Sequence, residues 1–448
     1  MGKYFGTDGF RGEANVNLTV DHAFRIGRYL GWYYSSKAHR AKVVIGKDTR
    51  RSSYMFESAL CAGLTASGAD AYLLHVTSTP SVSYIARADD FDCGIMISAS
   101  HNPFEYNGIK IFKADGFKLP DALEEEIESI ILDDAKVPPV KVAASVGRAR
   151  RSSTAHPDYI NHLLSTSEYR YNGMKIALDC ANGSASLIAR KLFEALGCEC
   201  FVRGADPDGK NINLDCGSTH VEELQKFVVE NNCEAGFAFD GDADRLIAVD
   251  ENGNVVDGDK IIALCALDMK DTGRLKNDTA VVTVMSNMGF FKFAEEKGIH
   301  CEKTKVGDRY VLENMLENGY SIGGEQSGHV IFLDYATTGD GELTAIQILR
   351  AMKRTGKTLS ELSSVMDVYP QVLKNVKVSA FGKARFDDDD EIKNAIRKAE
   401  DELGDTGRVL VRVSGTEPLV RVMLEGKDTE QIERLADEIS EVVRERLI

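Results

Sequence analysis

The sequence predicts an α/β protein of several domains, and three observations carry that prediction. Short apolar runs, among them Val43 to Ile45, Ala71 to Val76, Ile95 to Ile97, Lys175 to Leu178, Ala235 to Phe239 and Ala280 to Met285, alternate with helix-length spans. That alternation is the signature of βαβ units and a mostly parallel sheet. The 448 residues are too many for one ordinary core and suit about three or four. Beyond Tyr369-Pro370 the pattern changes to a smaller α+β unit.

The first region, 1–153, opens with the glycine-rich turn Gly6-Thr7-Asp8-Gly9-Phe10-Arg11-Gly12, which carries one guanidinium. A helix over 21–35 leads to the strand at 43–45, which ends in Gly46-Lys47-Asp48-Thr49-Arg50. A helix over 53–66, the strand 71–76, a helix after Pro80 and the strand 95–97 follow. Between that strand and the next, 109–112, lies Ser98-Ala99-Ser100-His101-Asn102-Pro103, with Lys110 beyond it. A loop that needs only solubility has no use for two hydroxyls, an imidazole and an amide against two apolar strands, so we read a nucleophile with polar support. A helix over 122–132 and the polar stretch 138–153 lead out of the region.

The second region, 154–256, has a helix near Tyr159, the strand 175–178, a helix ending at Leu196, a strand through Phe201, a helix over 221–229 and the strand 235–239. That strand runs into Asp240-Gly241-Asp242-Ala243-Asp244-Arg245, and 246–249 resumes as strand. In extended chain, residues i, i+2 and i+4 share a face about 7 Å apart, so the carboxylates of Asp240, Asp242 and Asp244 converge. Such a cluster repels itself unless a cation sits in it, and a few hard oxygen ligands suit Mg²⁺, one ion per chain. A calcium EF-hand fails on Arg245, which stands where that loop needs glycine.

The third region, 257–368, runs through a helix over 260–269, the strand 280–285, a helix over 290–296 and the strand 301–305. Val306-Gly307-Asp308-Arg309 follows, with Asp308 the expected N-cap of a helix over 310–317. The loop Gly323-Gly324-Glu325-Gln326-Ser327-Gly328-His329 displays carboxylate, amide, hydroxyl and imidazole, which suits a ligand rich in hydroxyls. A helix over 341–353 closes the region. The fourth, 369–448, has a strand over 372–378, an acidic helix start at 387–390, a helix to Leu403, a hairpin of 408–413 against 420–424 and a final helix over 430–447. The hairpin connection from Arg412 to Arg421 offers two guanidiniums, the hydroxyls of Ser414 and Thr416, and Gly415 to bare its N–H. This is a dianion cradle without the Gly-Lys-Ser/Thr of a P-loop.

A net charge of −16 argues against nucleic acid as a partner. Apolar runs such as Ile261 to Leu267 fall far short of the roughly 20 residues that cross a bilayer, and Met1-Gly2-Lys3-Tyr4 leads into polar sequence, so we expect a cytoplasmic protein with no membrane contact. Nine scattered cysteines with no Cys-x-x-Cys pair are expected to be reduced. A nucleophile, a metal site, a polyol loop and an anion cradle together suit phosphoryl transfer on a phosphorylated sugar. A Ser-His hydrolase fits less well: neighbours such as Ser100 and His101 are expected to point apart, and no Gly-x-Ser-x-Gly surrounds the serine.

These strings, namely Gly6 to Gly12, Ser98 to Pro103, Asp240 to Arg245, Gly324 to His329 and Arg412 to Arg421, resemble the α-D-phosphohexomutase superfamily along the whole chain, and within it the bacterial phosphoglucosamine mutases most closely. The resemblance implies three related α/β domains with mixed sheets and a smaller C-terminal α+β domain around a central cleft. It implies that Ser100 carries the phosphoryl group as phosphoserine and completes the Mg²⁺ shell with Asp240, Asp242 and Asp244. Glucosamine 6-phosphate would be converted to glucosamine 1-phosphate through a 1,6-bisphosphate, for UDP-N-acetylglucosamine and cell-wall synthesis. Lys110 and His329 would be the candidates for general acid and base, with Arg11 and the substrate-binding Arg309 supporting them and Arg245 on the reacting phosphate. Glu325 and Ser327 would contact the sugar hydroxyls, and Arg412, Ser414, Gly415, Thr416 and Arg421 the other phosphate. A homodimer fits the family's habit. Tyr106 departs from the family, which more often has an acidic residue there. A phosphomannomutase or phosphoglucomutase would share the mechanism, and a non-catalytic sugar-phosphate sensor would bind without turnover.

Overall fold

The structure is a computed structural model, and it describes residues 4–6, 9–35, 39–414 and 418–448. The chain forms two compact units. One contains the residues up to Met285 with Gly298–Val365, the other Ser286–Lys297 with Met366–Ile448.

The larger unit holds three sheets built to one plan. In the first, the parallel strands Lys42–Lys47, Asp70–Val76 and Cys93–Ile97 are flanked by antiparallel Tyr106–Lys113 and Gly9–Glu13. In the second, parallel Lys175–Asp179, Glu199–Arg203 and Ala235–Phe239 are followed by antiparallel Leu246–Asp250 and Val255–Val256. In the third, parallel Thr279–Thr283, His300–Thr304 and Ile322–Gly324 are followed by antiparallel Val330–Phe332. The sheets are therefore mixed rather than mostly parallel. In each, one parallel strand turns back as a hairpin, and the three hairpin loops are Ser98 to Glu105, Asp240 to Arg245 and Glu325 to His329. The apolar runs become strands because both faces are covered: Ile95, Met96 and Ile97 are completely buried, as are Ala235, Phe237 and Phe239.

Two expectations fail. The polar stretch before Thr154 is not only a way out of the region: Ala149–Arg151 adds a parallel strand beside Asp70–Val76. Asp308 is not an N-cap. Gly307, at φ 129°, takes that place, Asp308 is the first helical residue of Asp308–Asn318, and its carboxylate turns to Lys118 at 2.6 Å.

The smaller unit pairs Gln371–Lys377 and Gly407–Val413 on either side of Leu419–Gly426, all antiparallel. The helices Asp390–Leu403 and Thr429–Leu447 cover one face and bury Ile392, Leu403, Ile432, Leu435, Ile439 and Val443. Among the described residues no helix is long and apolar enough to cross a membrane.

Candidate active site

The serine loop is held from behind by a buried ion pair. Asp48 and Arg50 are both completely buried, and Arg50 Nε donates to Asp48 Oδ2 at 2.7 Å. The rest of the guanidinium donates to backbone carbonyls of the loop: Ser100 and Asn102 at 2.8 Å, Tyr106 at 3.1 Å, and Pro103. Asp48 also accepts from Ser98 Oγ at 2.7 Å, and Ser98 Oγ accepts the Ser100 N–H at 2.9 Å. Asn213 of the second region donates to the Ser100 and Asn102 carbonyls at 2.9 and 3.2 Å. So many donors hold Ser100 at φ 54°, a left-handed conformation that costs a non-glycine residue about 1–3 kcal/mol.

That conformation aims the hydroxyl at the aspartate loop. Ser100 Oγ donates to Asp240 Oδ2 at 2.5 Å. The two loops touch closely enough that a Cβ on Gly241 would meet the Ser100 carbonyl at 2.5 Å, so only glycine fits there. The aspartates do not lie along extended chain, as the spacing argument supposed. Residues 240–245 form a turn with Ala243 at φ 59°, and the turn gathers the carboxylates so that one oxygen from each lies within 4.8 Å of the others.

The trio is almost entirely buried. Lys110, 1% exposed, donates to Asp242 Oδ2 at 2.9 Å and Asp244 Oδ2 at 3.0 Å, and Thr79 Oγ1 donates to Asp242 Oδ2 at 2.6 Å. Asp242 Oδ1 and Asp244 Oδ1 are buried with no hydrogen-bond partner among the described residues. Burial and then the charges of Asp244 and Asp242 hold Asp240 well above the usual carboxylate range. Burial pushes Asp244 the same way, but Lys110 and His329 outweigh it and hold Asp244 low. One ammonium against three buried carboxylates leaves negative charge and two orphaned oxygens, which is what a hard divalent cation would satisfy.

His101 corrects another expectation: its Nδ1 lies 3.4 Å from Ser100 Oγ rather than pointing away, because of the left-handed turn at Ser100. Arg245 Nη1 donates to that same Nδ1 at 2.9 Å. Burial, then the Arg245 and Arg11 charges, lower the His101 pKa to about 4, so the ring is neutral and a poor match for a hydrolase base.

Arg11, Asp244, Arg245, Gly307, Glu325 and His329 line a cavity of about 430 Å³. Glu325 Oε1 accepts the Gly307 N–H at 2.9 Å. His329 Nε2 accepts the Gly339 N–H at 3.0 Å, which puts the neutral ring's proton on Nδ1, 3.8 Å from Asp244 Oδ2. Burial lowers the His329 pKa, but the Asp244 hydrogen bond and the Asp244 and Asp308 charges raise it further, for a net rise. Of the expected site residues, Ser100, Asp240 and Asp242 lie outside this lining, and so do Lys110, Ser327 and Arg309. Lys110 is packed against the aspartates, and Ser327 is exposed. Arg309 pairs with Asp121 and with Glu313 at 3.2 Å, and its Nη1 lies 4.0 Å from Glu124. Tyr106, the departure from the family, is 40% exposed and only its carbonyl serves the site.

In the smaller unit Arg412 and Arg421 face each other across the strands. Burial and then the Arg421 charge lower the Arg412 pKa, the mark of like charges held together. An anion would relieve them. Ser414 is buried beside them, whereas Gly415 and Thr416 lie outside the described residues. Sequence reasoning missed Arg50, Asp48, Thr79 and Asn213. Only the charged Asp48-Thr49-Arg50 directly after a buried strand could have pointed to the first two.

Comparisons with known proteins cover all four regions of the chain. Residues 2–137, 157–253 and 257–369 match domains I, II and III of the phosphoglucomutase/phosphomannomutase family, each described as alpha/beta/alpha, and 373–442 match its C-terminal domain. The chain is 54% identical to phosphoglucosamine mutase of Lachnoclostridium phytofermentans and 53% to that of Lachnospira eligens, covering 100% of this chain and 99% of each relative. Among solved structures, a phosphoglucomutase/phosphomannomutase family protein of Burkholderia thailandensis superposes with a TM-score of 0.83 at 25% identity, over 98% of this chain and 97% of that one.

Proposed function

The chain belongs to the phosphoglucomutase/phosphomannomutase family, and from that premise we propose that it is an intramolecular phosphotransferase interconverting glucosamine 6-phosphate and glucosamine 1-phosphate. The relatives about 53% identical over their whole length, all phosphoglucosamine mutases, support that sugar over mannose or glucose. The observation that carries the mechanism is the Ser100 hydroxyl aimed at Asp240 at 2.5 Å. We propose domain boundaries after 153, 256 and 368 and a cytoplasmic location, as the sequence pattern suggests, and a homodimer, as the resemblance implies.

In this reading Asp240, Asp242 and Asp244 would hold Mg²⁺ together with the phosphate carried on Ser100. The ion would draw charge from the transferring phosphoryl group. Phosphoserine 100 gives its phosphoryl to the free hydroxyl of the sugar phosphate: the Oγ–P bond breaks as the sugar O–P bond forms, and the hydroxyl proton leaves to a base. The bisphosphate turns end for end. Ser100 Oγ then takes the other phosphoryl, and the sugar oxygen regains a proton. His329, which faces the cavity, is our choice for moving that proton. Lys110 holds the charge of Asp242 and Asp244 and is the weaker candidate. Arg245 and Arg11 orient the reacting phosphate, Glu325 with Ser327 binds the sugar, and Arg412, Ser414, Gly415, Thr416 and Arg421 take the second phosphate. Arg309 reaches substrate only by leaving Asp121.

Comparing kcat/KM on the 6-phosphates of glucosamine, glucose and mannose tests the assignment. Glucosamine 6-phosphate is expected to lead by at least about tenfold, and preference for either other sugar contradicts it.

A further inference from the structure

A second cavity, about 500 Å³, lies where the strand Asp70–Val76 ends and the helix Ala155–Ser165 begins, and shares no lining residue with the Arg11–His329 cavity. Its lining includes Arg151, Lys191, His75, His156, Ser152 and Ser153, and no carboxylate. On a chain with a net charge of −16, a cavity lined only by basic, hydroxyl and apolar groups is a local reversal of sign. Arginines near this face are paired with carboxylates, as Arg40 and Arg150 are with Asp70. Arg151 and Lys191, both exposed at the cavity, have no ion-pair partner among the described residues.

One imidazole is fixed in place: His156 Nε2 donates to the Val76 carbonyl at 2.9 Å. The other, His75, has its Nδ1 3.3 Å from the carboxylate oxygen Oε1 of Glu57, which lies just behind the lining. His75 is held at φ 61°, which swings its ring out of the alternation of the strand. Past the end of the strand the chain runs through Thr77 and Ser78 to Thr79, the first residue of the next helix, whose N–H donates to the Asp242 carbonyl at 2.9 Å. The cavity therefore adjoins the chain segment that supports the metal loop.

We propose that this cavity is a second anion site, distinct from the phosphoryl-transfer centre, that takes a small phosphate-bearing compound. Its volume falls within the range of about 300–1,000 Å³ typical of small-molecule sites and admits a ligand of sugar-phosphate size. Arg151 and Lys191 supply the charge, and the hydroxyls of Ser152 and Ser153 supply further donors.

The test is a crystal of the full chain soaked in tungstate, a phosphate-shaped oxyanion with an anomalous signal, together with phosphate titration in solution. A peak is expected between Arg151 and Lys191, lost in R151E/K191E. That double variant should bind one fewer phosphate per chain, or bind at that site at least about tenfold more weakly. Its turnover and melting temperature should be unchanged, since both side chains are exposed. No peak in a pocket free of lattice contacts, or a peak that survives the double variant, overturns the site. A peak accompanied by identical solution titrations of wild type and variant means an adventitious ion only, and overturns it too.

Discussion

Ser100 and Asp240, 140 residues apart in the chain, meet through a hydrogen bond of 2.5 Å, and neither is exposed to solvent. A contact between two loops from different sheets has to be imposed by both frameworks. Arg50 sets the carbonyls of one loop, and the turn at Ala243 sets the carboxylates of the other. The chemistry proposed for this chain depends on that meeting, and its consequences can be measured.

Lys110→Met should leave Asp242 and Asp244 as uncompensated buried carboxylates. Removing one partner of a buried pair typically costs about 3–5 kcal/mol. Denaturant unfolding without divalent cations should show a loss of that size, and saturating Mg²⁺ should recover much of it. A loss that Mg²⁺ does not repair would mean that the trio is not a cation site.

Arg50→Lys keeps the charge beside Asp48 but loses the planar array that reaches several carbonyls at once. The expected result is a fall in kcat of about 100-fold with KM changed little, and faster amide exchange in residues 98–106. Equal falls in every parameter, explained by unfolded protein alone, would reduce Arg50 to a packing residue.

Glu124 gives a pH signature. Burial raises its pKa from 4.5 to about 7, with the nearby Arg309 opposing the rise. Because the folded pKa lies above the unfolded one, its contribution to stability is full below about pH 4.5 and is lost as pH rises through about 7. Glu124→Gln should therefore flatten that fall. At pH 8 the variant should gain about 1 kcal/mol relative to its difference from wild type at pH 4.5, once solvent screening of a partly exposed group is allowed for. Parallel stability curves for the two proteins would show that Glu124 is not displaced.

Much of this was legible in the residues. The strands before the serine and aspartate loops are apolar runs, and the three loops carry Ser-Ala-Ser-His, Asp-x-Asp-x-Asp and Glu-x-Ser-x-His, groups that a solubilising turn does not need. What stayed hidden depends on backbone angles or distant partners. Nothing in Ser100-His101 announces a φ of 54°, so the approach of His101 was missed. Ala149-Arg150-Arg151 has no strand pattern, being exposed throughout, and it joins the sheet through backbone pairing and the Arg150–Asp70 ion pair. The strands Ile322–Gly324 and Val330–Phe332 are too short to show a period. Arg309 looks like a ligand-binding arginine in sequence, and only the fold shows Asp121 and Glu313 beside it.

The most direct measurement is intact-mass analysis with peptide mapping, after incubation with a hexose 1,6-bisphosphate and then with glucosamine 6-phosphate. The account predicts one phosphoryl group on Ser100 that the second sugar removes. It also predicts that Ser100→Ala keeps the fold and loses turnover by at least about 1,000-fold. A phosphoryl group on another residue, or full turnover by Ser100→Ala, would contradict it.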